Sequence, residues 1–293
     1  MDRLNVNAIA ANAAGPKTEP LRGIPATEDY QGDFCMSELA VTAQIMRHWF
    51  GPHPAGACPL WNSYPDDYIV FDTETTGIDP TLDLIVEYGW HITRGRQSRD
   101  NDSVLINWIG HYGITEEWLA ARMEAVRAKM AERGLNYRFT VDMLKERGIP
   151  APEAVENIFG FFNDALERGE LLVGHNIITY DRKMLDALFA RFHGGRSIQW
   201  PHNCMVDTGL VEKASRQNRV PWANDTTFEW ARRVASPPFN VKWSLDGICI
   251  PKYRLAERYQ LQQGLNHTAA FDCLATHCLF DTYRDIGEGK FLG

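Results

Sequence analysis

The chain has 293 residues, 44% of them hydrophobic and 23% charged, ordinary values for a globular protein and unlike those of a disordered chain or a fibre. No apolar run approaches the ~20 residues that span a bilayer, the opening MDRLNVNAIAANAAGPK lacks the regions of a secretory signal, and the six cysteines form no CxxC pair. A membrane span, a disulfide framework and a zinc ribbon are therefore disfavoured, and a cytoplasmic protein is expected. The net charge of −8 speaks against a protein that coats duplex nucleic acid. Residues 1–181 carry 15 Lys/Arg against 27 Asp/Glu, residues 182–258 carry 13 against 7, and residues 259–293 carry 2 against 4. One segment is thus basic inside an acidic chain, which by charge alone reads as a solvated face.

Taken in chain order, residues 1–32 are rich in Asn, Ala, Pro and Gly and predict a flexible arm. A short helix follows, with Met36, Leu39, Ile45 and Met46 on its stripe and Gly51 and Pro52 as its stop. The runs 67–73, 84–93 and 103–109 are rich in β-branched and aromatic residues and predict a three-strand meander. Leu119, Met123, Val126 and Met130 mark a helix over 115–133, ended by Gly134. Val155, Ile158, Phe159, Phe162 and Leu166 mark another over 152–168, with Pro at its start and Gly169 at its end. A short buried strand at 171–173 precedes a helix over 181–192, and the last helix starts near Thr268. Strands alternating with helices after a meander predict a mixed-sheet α/β domain over 66–288, preceded by an extension over 1–65 and followed by a tail over 289–293.

Three acidic groups carry the chemistry. IVFDTETTG places Asp72 and Glu74 at i and i+2 of a strand, so both carboxylates share one face at its C-terminal end. Two carboxylates side by side need a cation, and oxygen-only ligands point to Mg²⁺ or Mn²⁺ rather than zinc. LLVGHNIITYDRKML places Asp181 at the start of a helix, where an N-cap or first-turn charge is the competing explanation. NHTAAFDCLATHCLFD places His267 before the last helix and Asp272 in its first turns. His202 and Asp207 repeat that His/Asp spacing, and spacing alone does not choose between the two pairs. Cys35, His48, His53 and Cys58 match no common zinc-finger spacing.

The order D-x-E with TTG, then GHN with Y-D, then H-x-A-x-x-D resembles the three motifs of the DnaQ-like (DEDDh) 3′-to-5′ exonuclease family, which includes the proofreading epsilon subunit of bacterial DNA polymerase III and RNase T. The resemblance covers residues 66–288 and extends to the stretches TVDMLKERGIPAPEAVENIFGFF and KWSLDGIC. It implies a ribonuclease H-like fold, a mixed five-stranded sheet flanked by helices. It also implies two divalent ions, Mg²⁺ or Mn²⁺, held by Asp72, Glu74, Asp181 and Asp272, with His267 orienting or deprotonating the attacking water. Thr75 would meet the terminal 3′-hydroxyl and Ile78 the last base, although Ile78 as packing is an equal alternative. Asn176 belongs to the second motif and would lie on the substrate side. Asp207 and Thr208 correspond to the family's strand end and helix cap. About 109 residues separate Asp72 from Asp181, more than in compact members, which makes the helix near 115–135 an insertion.

The implied activity is hydrolysis of DNA from its 3′ end, single-stranded or frayed, to nucleoside 5′-monophosphates. Exoribonuclease action and a non-catalytic nucleic-acid-binding module stay open beside it. A DNA polymerase is a candidate partner, and a membrane is not. The basic segment, Arg182, Lys183, Arg216, Arg219, Lys242 and Arg254 among it, would track backbone phosphates, with Trp222, Trp230 and Trp243 available for stacking or for the core.

Overall fold

A run of β-branched and aromatic residues suits a strand covered on both faces. In the computed structural model, which describes residues 35–51, 63–132, 134–236, 244–262 and 268–291, Tyr68–Phe71 is such a run and opens strand β1 (Tyr68–Thr75). β2 (Ile85–Arg94) and β3 (Gln97–Asn107) continue it as an antiparallel meander. β4 (Ile149–Pro150) pairs in parallel with the end of β3, β5 (Leu171–Gly174) with the start of β1, and β6 (Met205–Asp207) with β5. The order is β4-β3-β2-β1-β5-β6, so the sheet has six strands and not the expected five. The extra strand, β4, is two residues long, too short to leave any periodic pattern. Without β4 the order is 3-2-1-5-6 with only β2 reversed, the ribonuclease H-like arrangement.

The helices are α1 (Met36–Phe50), α2 (Glu116–Ala131), α3 (Val141–Arg147), α4 (Ala151–Glu167), α5 (Asp181–Phe192), α6 (Thr208–Gln217), α7 (Thr227–Ala235), the short α8 (Ile250–Lys252) and α9 (Leu255–Tyr259), and α10 (Ala269–Glu288). α4 covers one face of the sheet, where Phe162 meets Phe71 and Tyr88 edge-on at ring separations of 4.9 and 5.8 Å. α5 packs on α4 through Phe189 and Phe159, 5.1 Å apart. α10 crosses the opposite face, where Phe280 packs on Tyr68 at 5.0 Å. α1 lies against α10 and α7, with Phe50 on Phe280 and Trp49 on Trp230, so its apolar stripe enters the same core. Cys35 precedes the first turn of α1 and His48 lies in its last, roughly 20 Å apart at ~1.5 Å of rise per residue, too far for one zinc ion.

The expected flexible arm, His53, Cys58, Lys242, Trp243 and His267 lie outside the described residues. Among the described residues no helix is long and apolar enough to cross a membrane.

Candidate functional site

β1 outruns its parallel neighbour. Pairing with β5 ends at Val70, while pairing with β2 continues to Thr75. Residues 72–75 therefore project into an open crevice at the C-terminal end of the central strand, where α/β sheets bind ligands. Side-chain alternation turns Tyr68, Val70, Asp72 and Glu74 toward α10, and the residues opposite them on β2, Glu87, Gly89 and His91, face the same way. Gly89 decides how close α10 can come. A Cβ there would stand 2.5 Å from the Ala269 carbonyl carbon, so the first turn of the helix rests directly on the strand backbone. That approach brings Asp272 to β1, where one ligand oxygen from each of Asp72, Glu74 and Asp272 lies within 4.8 Å of the others.

Glu87 fixes the start of α10. This buried carboxylate accepts from Ala269 N (3.0 Å), Ser103 Oγ (2.7 Å) and Arg138 (2.7 and 2.9 Å). Thr268, next to His267, caps the helix by accepting from Phe271 N at 3.0 Å. Neither Gly89 nor Glu87 was among the residues singled out from the sequence. The available signals were a lone glycine and a lone charge inside an otherwise apolar strand, which mark close backbone approach and a paired buried charge.

Asp181 stands beside this trio, not within it. Its carboxylate accepts from Thr73 N (3.0 Å) and Thr73 Oγ1 (2.5 Å) on the length of β1 that β5 leaves unpaired. The residue before it occupies the cap position of α5 and no side chain caps that helix; Asp181 lies in the first turn, where its charge also faces the positive end of the helix. Burial pushes its acid up to about 7 against the opposing pull of the Thr73 bonds. Asp72 is raised well above the usual carboxylate range by burial and then by Asp181, Asp272 and Glu74. Glu74 is raised by burial, Asp272 and Glu87, with Arg138 opposing. The crevice thus concentrates carboxylates, and Arg138, whose charge opposes the shift at Glu74, is already paired with Glu87. An all-carboxylate set, half-buried and open to solvent at Asp72, Glu74 and Asp272, fits a hard divalent cation such as Mg²⁺ or Mn²⁺.

Thr75 ends β1, and the turn after it is tied through Tyr180 to the segment that carries Asn176. Thr75 Oγ1 donates to Gly77 O (2.7 Å), Tyr180 OH donates to the same carbonyl (2.9 Å) and Tyr137 OH donates to Thr75 O (3.1 Å). Asn176 adopts a left-handed φ of 69°, and its N–H donates to Asp207 Oδ1 (2.9 Å). Asp207 also accepts from Ile178 N (3.0 Å) and, as the cap of α6, from Leu210 N (3.0 Å). The second His/Asp pair is therefore resolved at its aspartate, a backbone anchor for the loop that leads to Asp181. Ile78 is 83% exposed, which removes the packing alternative.

Arg216 and Arg219 are half-buried and hydrogen-bonded. Arg216 Nε donates to the buried Glu212 (2.9 Å), and Arg219 donates to Arg233 O (2.7 Å). Both arginines thus have partners in α6 and α7 and are not simply a solvated face. Trp230 is core and Trp222 is 66% exposed, with the Arg233 guanidinium 3.7 Å above its ring. Cys273 and Cys278 are buried on α10, as small apolar residues would be.

Fold and site together define an α/β protein of ribonuclease H-like topology with a carboxylate cluster at the end of its central strand. No family model and no curated protein matches the chain. Among solved structures it is similar to Escherichia coli exonuclease I in complex with a dA16 oligonucleotide, at 15% identity over 75% of this chain and 41% of that one, with a TM-score of 0.47. It is also similar to the same protein with a dT13 oligonucleotide (15% identity, 75% and 42% covered, TM-score 0.48) and in a zinc-bound complex with single-stranded DNA (14%, 77% and 42%, 0.48). The chain spans about two fifths of the length of these structures.

Proposed function

We propose that this protein is a metal-dependent 3′-to-5′ exonuclease that removes nucleoside 5′-monophosphates from single-stranded or frayed DNA ends. The observation that carries the proposal is the convergence of Asp72, Glu74 and Asp272, from β1 and α10, within 4.8 Å. Asp181 lies alongside, in the field of Asp72. In this reading the four carboxylates hold two divalent ions, Mg²⁺ or Mn²⁺. When bound, such a pair supplies charge stabilisation to both the attacking and the leaving oxygen of an in-line phosphodiester hydrolysis. His267, one residue before the cap of α10, takes the proton of the attacking water, a task suited to an imidazole of ordinary pKa ~6.5. Thr75 binds the terminal 3′-hydroxyl and the exposed Ile78 side chain lies against the last base. The loop carrying Asn176 is held by Asp207, which fixes the approach to Asp181.

The test is digestion of matched 5′-end-labelled single-stranded DNA, duplex DNA and RNA with Mg²⁺, Mn²⁺ or EDTA. The expected result is a ladder shortening from the 3′ end of single-stranded DNA, absent with EDTA. Cleavage of RNA alone would move the substrate to RNA. Binding without cleavage under every metal condition would leave a non-catalytic binding module.

A further inference from the structure

The loop over 76–84 leaves the carboxylate-bearing end of β1 and carries two exposed apolar side chains, Ile78 and Leu82, the second 51% exposed. The loop's ends are pinned by the buried Leu84, whose carbonyl accepts from Thr76 N (2.9 Å), and the stretch between them is held by polar contacts. At its centre is Asp83, whose side chain is 2% exposed. It accepts from Thr76 Oγ1 (3.1 Å) and Asp79 N (2.8 Å), and Gly77 passes so close that a Cβ would lie 2.4 Å from the carboxylate. A carboxylate buried this deeply needs a partner cation. Arg122 of α2 supplies it, donating from Nε at 3.1 Å and from a terminal nitrogen at closer range. On the other side Arg191 of α5 donates to the carbonyls of Asp83 (2.8 Å) and Pro80 (3.2 Å). The loop is thus clamped between the helix that begins with Asp181 and the helix that the sequence marks as an insertion.

We propose that α2 is a positioning element for the substrate end: the Arg122–Asp83 ion pair holds the loop over 76–84 so that Ile78 meets the terminal nucleotide in one orientation. The inference rests on the exonuclease reading and assigns a purpose to the insertion. Arg122 and Asp83 touch the loop, not the substrate, and are positioning residues. Loss of the pair frees the loop and leaves Asp72, Glu74 and Asp272 in place, so substrate capture suffers and chemistry does not.

Steady-state hydrolysis of a single-stranded oligonucleotide by the wild type, Arg122→Ala, Arg122→Lys, Ile78→Ala and the Arg122→Ala/Ile78→Ala double variant decides this. Arg122 is one third exposed, so its truncation opens no cavity, but it strips the buried Asp83 of its cation. Circular dichroism and a denaturant midpoint check the fold of each variant, and Arg122→Lys, which keeps the charge, carries the test if Arg122→Ala unfolds. Arg122→Ala is expected to raise KM about tenfold, the scale of a lost charge-assisted hydrogen bond, with kcat changed less than about twofold. Arg122→Lys restores part of the loss. In the Ile78→Ala background the same truncation adds less than about twofold, because the side chain it positions is gone. Amide exchange rises at 79–84 and not at 72–74. An active wild type with unchanged KM in Arg122→Ala, or full additivity in the double variant, overturns the inference alone. A fall in kcat at constant KM overturns it as well, by placing Arg122 in support of the carboxylates. An inactive wild type overturns the exonuclease reading and this inference with it.

Discussion

At the scale of single residues, Asp72 carries opposed demands. Its place at the end of β1 suits a ligand site, yet Asp181, Asp272 and Glu74 surround it with like charge. Asp72→Asn is expected to abolish hydrolysis by removing a metal ligand. The same change should stabilise the metal-free protein. Because the folded acid is raised above its unfolded value of ~3.9, its contribution to stability is complete below that value and is lost as pH rises through the folded one. The metal-free variant should therefore melt above the metal-free wild type at pH 8, with the gap closing toward pH 4. Added Mg²⁺ should raise the wild-type Tm and leave the variant nearly unmoved. Scanning calorimetry with and without Mg²⁺ measures both, and a variant that melts below the wild type at pH 8 contradicts the account. The two histidines divide similarly. His267→Ala should lower the rate at least ~100-fold, the scale of a lost general base, while His202→Ala changes it little. Asp207→Ala should cost ~2 kcal/mol or more in urea denaturation, because three backbone N–H groups lose their acceptor.

At the scale of elements, the contact between α10 and β2 governs the site. Gly89→Ala forces a methyl into the Ala269 backbone, and helix and strand must part by a few tenths of an ångström or more. The expected outcome is a cost of about 1–3 kcal/mol in denaturant and a large fall in metal affinity measured by titration calorimetry. Unchanged metal affinity would show that Asp272 reaches the cluster without that close approach. Element boundaries were legible where a stripe and a stop agreed: the helix expected over 152–168 with its stop at Gly169 is α4 (Ala151–Glu167), and the strand expected at 171–173 extends to Gly174. β4, α3 and α6 to α9 left weaker traces. They are short, and their stability comes from partners such as Glu212, which accepts from Arg216, Lys252 and Tyr253.

At the scale of the whole molecule, two neutral histidines tie α10 to the sheet. His91 and His277 stack at 4.1 Å, with Tyr68 OH 2.7 Å from His277 Nδ1 and Asn101 Oδ1 3.2 Å from His91 Nδ1. Asp281 and Arg284 are the charged neighbours on α10. Burial first, then His277, lowers His91 to about 4, and burial followed by Arg284 lowers His277 to about 4. Depressed values mean that stability is complete above the unfolded value of ~6.5 and is lost as pH falls through about 4. The loss for the pair is on the order of several kcal/mol. The melting temperature of the wild type relative to His277→Gln should fall between pH 7 and pH 4, the raised carboxylates acting alike in both proteins. Parallel curves for the two proteins would assign the acid sensitivity elsewhere.

The sequence by itself determined what depends on neighbours a few positions away. Alternation in DYIVFDTET placed Asp72 and Glu74 on one face, and a stripe with a glycine stop bounded α4, since strand and helix periodicity are local properties. The tertiary structure decided what depends on distant partners. Asp72 and Asp272, about 200 positions apart, meet only because Gly89 admits the start of α10. Asp207 is a backbone anchor, and Arg216 and Arg219 find their partners in Glu212 and the Arg233 carbonyl. A side chain's type is written at its own position, but its charge acts on whatever the fold brings within a few ångströms, and no local pattern encodes that.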